Sequence, residues 1–217
     1  MYDNTCKYLA EAFPADFATW LIGKPIDLSK LEPSELSNQP IRADSVIFLQ
    51  SRDTILHLEF QTNPDANMPL RMLNYWIRLH IKYPDKLIHQ TVIYLRETKS
   101  TLVDQTQFQY QRTTHEFNVI KLWEQSPEIF QEYLGLLPLA VLTNTTNPTA
   151  ILRNVANKIS TISDPKLKSD LETHTFIIAG LVLEARIVQQ LLRRDAMKES
   201  STYQLLRREA MEKVERK

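Results

Sequence analysis

Glycine is nearly missing: Gly23, Gly135 and Gly180 are the only three in 217 residues. That excludes glycine-rich phosphate loops and dinucleotide-binding fingerprints, so no nucleotide or dinucleotide cofactor is expected. The G-x-S-x-G elbow of the α/β-hydrolases is absent as well. A single cysteine, Cys6, excludes an internal disulfide and any cysteine-built zinc centre, and it fits a reducing, cytoplasmic compartment. The first residues lack the basic start and long apolar run of a secretory signal. The longest apolar stretch, Phe176 to Leu183, is too short to span a bilayer. It is expected to be a buried helix segment, and no membrane partner is expected. The five histidines, His57, His80, His89, His115 and His174, are scattered without metal-ligand spacing and read as surface or satisfied core residues. The formal net charge is zero, so no global field advertises a nucleic-acid partner.

The charge is nonetheless unevenly placed. Residues 1–65 carry five Lys or Arg against ten Asp or Glu, a net of −5, which leaves +5 for the remainder. A metal-dependent phosphodiesterase has use for both signs, one for cations and one for phosphates. Hydrophobic content of 43% supports a real core, and the length suits one domain with an appendage. The boundary is expected near residue 124, with a core at 1–124 and a helical extension at 125–217 packed upon it.

One stretch organises the core. Ile41 to Gln50 and Ile55 to Gln61 both alternate with period two, and Ser51-Arg52-Asp53-Thr54 between them has turn chemistry. If Gln50 opposes Ile55, then Val46 opposes Glu59 and Asp44 opposes Gln61. Ile47, Leu49, Leu56, Leu58 and Phe60 then share one apolar face. Asp44, Val46, Phe48, His57, Glu59 and Gln61 share the other. Asp44 and Glu59 become diagonal neighbours, about 7 Å apart at the backbone. Two readings fit that pair: both carboxylates grip one cation, or both sit at a solvated sheet edge and keep it soluble.

Around this hairpin the punctuation predicts the other elements. Asp3 or Asn4 caps a helix through Cys6, Leu9 and Phe13, and Pro14 starts a second that ends at Gly23. Glu11, on the first of these, is either a further site acid or a solvated helix-face residue. Residues 25–40 read as a short strand with an irregular connection. Pro69 opens a helix to about Tyr83, for which Leu70, Leu73, Ile77 and Ile81 are the expected buried stripe. Arg71, Tyr75, Arg78 and Lys82 fall on the adjoining face. That basic stripe suits a backbone phosphate or a solvated surface equally. Thr91 to Leu95 reads as a buried strand, with Phe108 to Arg112 and Glu116 to Leu122 as two further, antiparallel ones. The class is α+β with a mixed sheet.

Beyond residue 125 the chain turns helical. Ser126-Pro127, Asn147-Pro148 and Asp164-Pro165 each place a capping side chain before proline. Helices are expected near 127–134, 148–160 and 165–172, then a long one from Thr175 to about Arg194. Pro138 to Leu142 is open between strand and helix. Ser201-Thr202-Tyr203-Gln204 is a capping box for a last helix whose Leu205, Leu206, Ala210 and Val214 offer a face for a homodimer or for docking back.

Ile41-Arg42-Ala43-Asp44-Ser45, Leu56-His57-Leu58-Glu59-Phe60-Gln61 and Met68-Pro69-Leu70-Arg71 with Tyr75-Trp76 together resemble a bacterial family. This is the recombination-promoting nuclease or putative transposase (YhgA-like) group of the PD-(D/E)XK nuclease superfamily, of the cyanobacterial type. The resemblance covers residues 2 to about 82, and the tail in patches. It implies a restriction-endonuclease-like α-β-β-β-α-β core and Mg²⁺-dependent hydrolysis of phosphodiester bonds in DNA, with Mn²⁺ as a substitute. It makes Asp44 and Glu59 metal ligands together with the Phe60 carbonyl, since Mg²⁺ takes hard oxygens and keeps several waters. Gln61 stands where the superfamily name has lysine. It is suited to orienting a water by hydrogen bonds but carries no positive charge, a role for which Arg71 is the candidate. Arg71 and Tyr75 are the expected supports for the phosphate. Two other classes fit the same sequence: a nuclease-fold DNA-binding accessory without turnover, and an assembly protein joined through its helices.

Overall fold

The computed structural model describes residues 2–31 and 46–192. Its elements run α1 (Tyr2–Ala12), α2 (Pro14–Ile22), β1 (Ser29–Leu31), β2 (Val46–Gln50), β3 (Thr54–Gln61), α3 (Met68–Lys82) and β4 (Leu87–Tyr94). They continue as β5 (Gln107–Tyr110), β6 (Thr113–Glu116), β7 (Asn118–Lys121), α4 (Pro127–Glu132), α5 (Pro148–Ser160), α6 (Pro165–Ala179) and α7 (Ala185–Leu191). The chain forms two compact units. Cys6–Gln125 make one, and the first turn of α1 groups with the residues from Ser126 onward in the other. The class is α+β, and the first unit follows the order helices, three strands, helix, strand. No helix among the described residues is long and apolar enough to cross a membrane.

In the first unit a five-stranded mixed sheet runs β1-β2-β3-β4-β7, antiparallel up to β3 and parallel from β3 to β7. The hairpin register is the one that the alternation predicts: Val46 opposes Glu59, Phe48 opposes His57 and Gln50 opposes Ile55. Its turn closes locally. Ser51 N–H donates to the Thr54 carbonyl at 2.8 Å, and the Ser51 and Thr54 hydroxyls donate to Asp53 Oδ1. Ile47, Leu49, Leu56, Leu58 and Phe60 are all buried, with Phe17 of α2 edge-on to Phe60 at 6.2 Å. Pro14 sets the start of α2, and Gly23 ends it at φ +82°, a left-handed conformation that favours glycine.

The opposite sheet face lies under α3, but not with the expected stripe. Met68, Pro69, Met72, Tyr75 and Leu79 are the buried residues. Leu70 is 53% exposed, Ile77 43% and Ile81 76%. Both sets have helical spacing, so periodicity alone does not choose between them. What turns the helix is the polar side chain at sheet centre, Glu59, which holds Arg71 and brings Met72 and Tyr75 inward beside it.

Residues 116–122 do not form one strand. β5 and β6 pair as a separate antiparallel hairpin, and at Phe117 the chain leaves it, so that β7 joins the main sheet parallel to β4.

In the second unit the expected caps are made at two helices. Asn147 Oδ1 accepts from Ala150 N–H at 3.0 Å, and Asp164 Oδ1 accepts from Lys166 and Leu167 N–H at 2.9 and 3.2 Å. The segment Leu137–Leu142 is a fully buried 3₁₀ helix around which α4, α5 and α6 pack. The long helix expected from Thr175 does not form. α6 starts at Pro165 and stops at Ala179 with Gly180 after it, and α7 begins only at Ala185. The capping box at 201–204 and the apolar face that follows it lie outside the described residues.

Candidate functional site

Glu59 is the buried acid at the centre of the sheet. β3 is hydrogen-bonded on both sides, to β2 and to β4, and at Glu59 the strand turns its side chain toward α3. The side chain is 0% exposed. A lone carboxylate there would be strongly disfavoured, and the local structure answers with hydrogen bonds from Arg71 and Gln61. Arg71 Nη2 lies 3.1 Å from Oε1 and 3.0 Å from Oε2, and Gln61 Nε2 donates to Oε2 at 3.2 Å.

Arg71 belongs to the first turn of α3 and is itself shared. Its Nη1 donates to Asp65 Oδ2 at 3.2 Å, so the guanidinium lies between two carboxylates. Asp65 is fixed in the β3–α3 loop by Asn67 N–H, which donates to its Oδ1 at 2.8 Å. Burial draws the Arg71 guanidinium downward in pKa, but the charges of Glu59, Tyr75 and Asp65 outweigh it and hold the group above its ordinary value. Burial raises the Tyr75 phenol, and the Glu59 charge raises it further.

Below Glu59 the same face continues with His57, its ring boxed by Phe48 at 4.8 Å and by the edge of Tyr75 at 5.1 Å. Desolvation holds this fully buried imidazole below its ordinary pKa, against the pull of Glu59. Its protonation is set by geometry. Gln90 Nε2 donates to the Met72 carbonyl at 2.9 Å, which only accepts, so the Gln90 amide cannot be flipped. The same nitrogen lies 2.8 Å from His57 Nδ1, which must therefore accept, leaving the proton on Nε2. That Nε2–H faces Glu59 Oε1 at 3.9 Å. On the other side Gln90 Oε1 accepts from His115 Nε2 at 2.6 Å. Two polar stretches thus cross an otherwise apolar layer, His115–Gln90–His57 by hydrogen bonds and Glu59–Arg71 as an ion pair, facing each other across 3.9 Å.

Of the residues predicted from sequence, the structure brings together Glu59, Gln61, Arg71 and Tyr75. Phe60 contributes its side chain to the opposite core. Because the Gln61 carbonyl accepts from Leu95 across to β4, alternation turns the Phe60 carbonyl away from β4. Glu11 is ion-paired with Lys30 at 3.4 Å. Asp44, and with it the pairing to Gln61, lies outside the described residues. Sequence reading missed Asp65, His57, Gln90 and His115. His57 had a signal, two positions before Glu59 on an alternating strand. Gln90 and His115 had none, because their meeting depends on sheet order.

The donor set near Glu59 is of the kind a hard dication takes, carboxylate oxygen, but Arg71 already supplies positive charge there. Among the described residues no three of His, Cys, Asp or Glu converge as a metal site. No protein-family model matches the chain, and no curated protein and no solved structure matches it either.

Proposed function

We propose that the chain is a metal-dependent phosphodiesterase acting on DNA, with Mg²⁺, or Mn²⁺ in its place, held by Asp44, Glu59 and the Phe60 carbonyl. One observation carries this reading: a fully buried carboxylate on a central strand, balanced by a guanidinium and flanked by a carboxamide. Stability alone does not call for that arrangement, since an apolar residue packed there would serve the fold as well or better. The resemblance through Asp44, Glu59, Gln61 and Arg71 supports the same reading.

When bound, the ion would acidify a water and neutralise the scissile phosphate. The chain's own groups have separate tasks. Gln61 has its Nε2 on Glu59, which leaves its carbonyl oxygen to accept from and orient a water. Arg71 is the group able to change partner, from Glu59 to a phosphate oxygen, because a forked guanidinium suits either. Tyr75 packs against His57 and steadies the floor of the site.

A second reading has its own observation. The Arg71 clamp satisfies Glu59 without any ion, which favours a nuclease-fold accessory that binds DNA and does not cut. Plasmid nicking with Mg²⁺ or Mn²⁺ separates the two. Wild type should nick, and Glu59→Gln and Asp44→Asn should each lose at least about 100-fold, on the scale of losing a transition-state contact. Nicking that survives Glu59→Gln removes the catalytic assignment. Salt-sensitive gel shifts without any cleavage establish the accessory instead.

A further inference from the structure

Apart from the carboxylate site, the first unit holds a cleft of about 410 Å³ where the β5–β6 hairpin meets α3 and β4. Trp76, Gln90, His115, Glu116 and Asn118 are among its lining residues. That volume is in the range of small-molecule sites. Trp76 is a braced wall: His80 stacks on it at 4.9 Å with the rings 11° apart, and His115 leans on it at 5.5 Å. No lysine or arginine is among the lining residues, so a phosphate has no counter-charge there.

The hydrogen-bond line fixes what the cleft offers. His115 spends Nε2–H on Gln90 Oε1, so its Nδ1 is the lone-pair nitrogen. Both Nε2 hydrogens of Gln90 are used, on Met72 and His57, and only a lone pair on Oε1 is left. The Glu116 carboxylate adds further acceptors. The wall at Trp76, His115 and Gln90 is therefore aromatic and offers acceptors, while Gln107 and Asn118 add amides that can both accept and donate. We propose that this cleft binds a nucleobase, its ring against Trp76 and His115 and its exocyclic amine donating to His115 Nδ1 and the neighbouring acceptors. Adenine, cytosine and guanine carry that amine, and uracil and thymine do not. The choice of a nucleobase over other flat heterocycles rests on the DNA reading above. The base comes either from an unpaired position of a strand or from a free nucleoside, and the two share this chemistry.

The test is calorimetric titration of the full chain in EDTA, so that binding is read without any metal-dependent step. The probes are cytidine, uridine, a short single-stranded DNA and the same strand with abasic positions. Cytidine and the intact strand should bind, and uridine and the abasic strand at least tenfold more weakly. His115→Ala should weaken cytidine at least tenfold. His115→Phe keeps the ring and removes the nitrogens, so it should abolish the preference for cytidine over uridine. Glu59→Gln should leave cytidine binding unchanged, which separates this site from the phosphodiesterase reading. Binding of cytidine alone assigns a nucleoside site, and binding of the strand as well assigns capture of an unpaired base. Equal binding of intact and abasic strands with no nucleoside binding, or a cytidine affinity untouched by His115→Ala, overturns the proposal.

Discussion

Replacing Arg71 with leucine is expected to destabilise the chain by about 3 kcal/mol, and Glu59→Gln in the same chain should return most of that loss. The figure follows from the geometry. At 3.0 Å, unit charges in a medium of effective dielectric about 20 attract by roughly 5 kcal/mol. The Arg71 side chain is 31% exposed, so solvent screens part of this. The Glu59 side chain is 0% exposed, so losing Arg71 removes a guanidinium at 3.0 Å from a carboxylate that solvent does not reach. Glu59→Gln alone should be milder, about 1 kcal/mol, because Arg71 keeps Asp65 and part of its solvent. The double variant should then lie about 1 kcal/mol below wild type, a coupling of about 3 kcal/mol. Urea unfolding at neutral pH, followed by tryptophan fluorescence, measures all four proteins. Single effects that add to within about 0.5 kcal/mol would refute the view that Glu59 and Arg71 act as a coupled pair.

Two further predictions concern packing and acid stability. Met72→Ala should destabilise by about 3 kcal/mol, whereas Leu70→Ala should stay within about 0.5 kcal/mol; the opposite order in urea midpoints would restore the stripe first expected for α3. In the second unit, burial lowers His174 to about 4. It stays neutral in the folded chain while the unfolded chain takes up a proton below about 6.5, so stability is complete above that pH and falls as the medium acidifies toward 4. The loss at pH 5 should be about 2 kcal/mol, and a melting temperature of His174→Phe just as sensitive between pH 7 and 5 would contradict this origin.

The hairpin was legible because its information is local. Alternation in two adjacent strands and a short turn specify one register, and Val46 opposite Glu59 follows without knowledge of the rest. Helix starts were legible where Asn147 and Asp164 precede proline, for the same reason. The face of α3 was not, since Leu70, Ile77 and Ile81 fit a helical period as well as Met68, Met72 and Leu79 do. Only contact with Glu59 and Gln90, distant in sequence, decides between them. The same holds for β7, whose place beside β4 rather than beyond β6 depends on a parallel pairing that no neighbouring residue announces.

The order β3-β4-β7, parallel throughout, also has a kinetic consequence. Each of these pairings needs an intervening crossover, α3 for the first and the β5–β6 hairpin for the second. Loop-closure entropy must be overcome before either ladder contributes enthalpy, so the β2–β3 hairpin can form early while the strands around it wait. The polar stretches from His115 to Glu59 cross both crossovers, and they therefore assemble among the last events of folding.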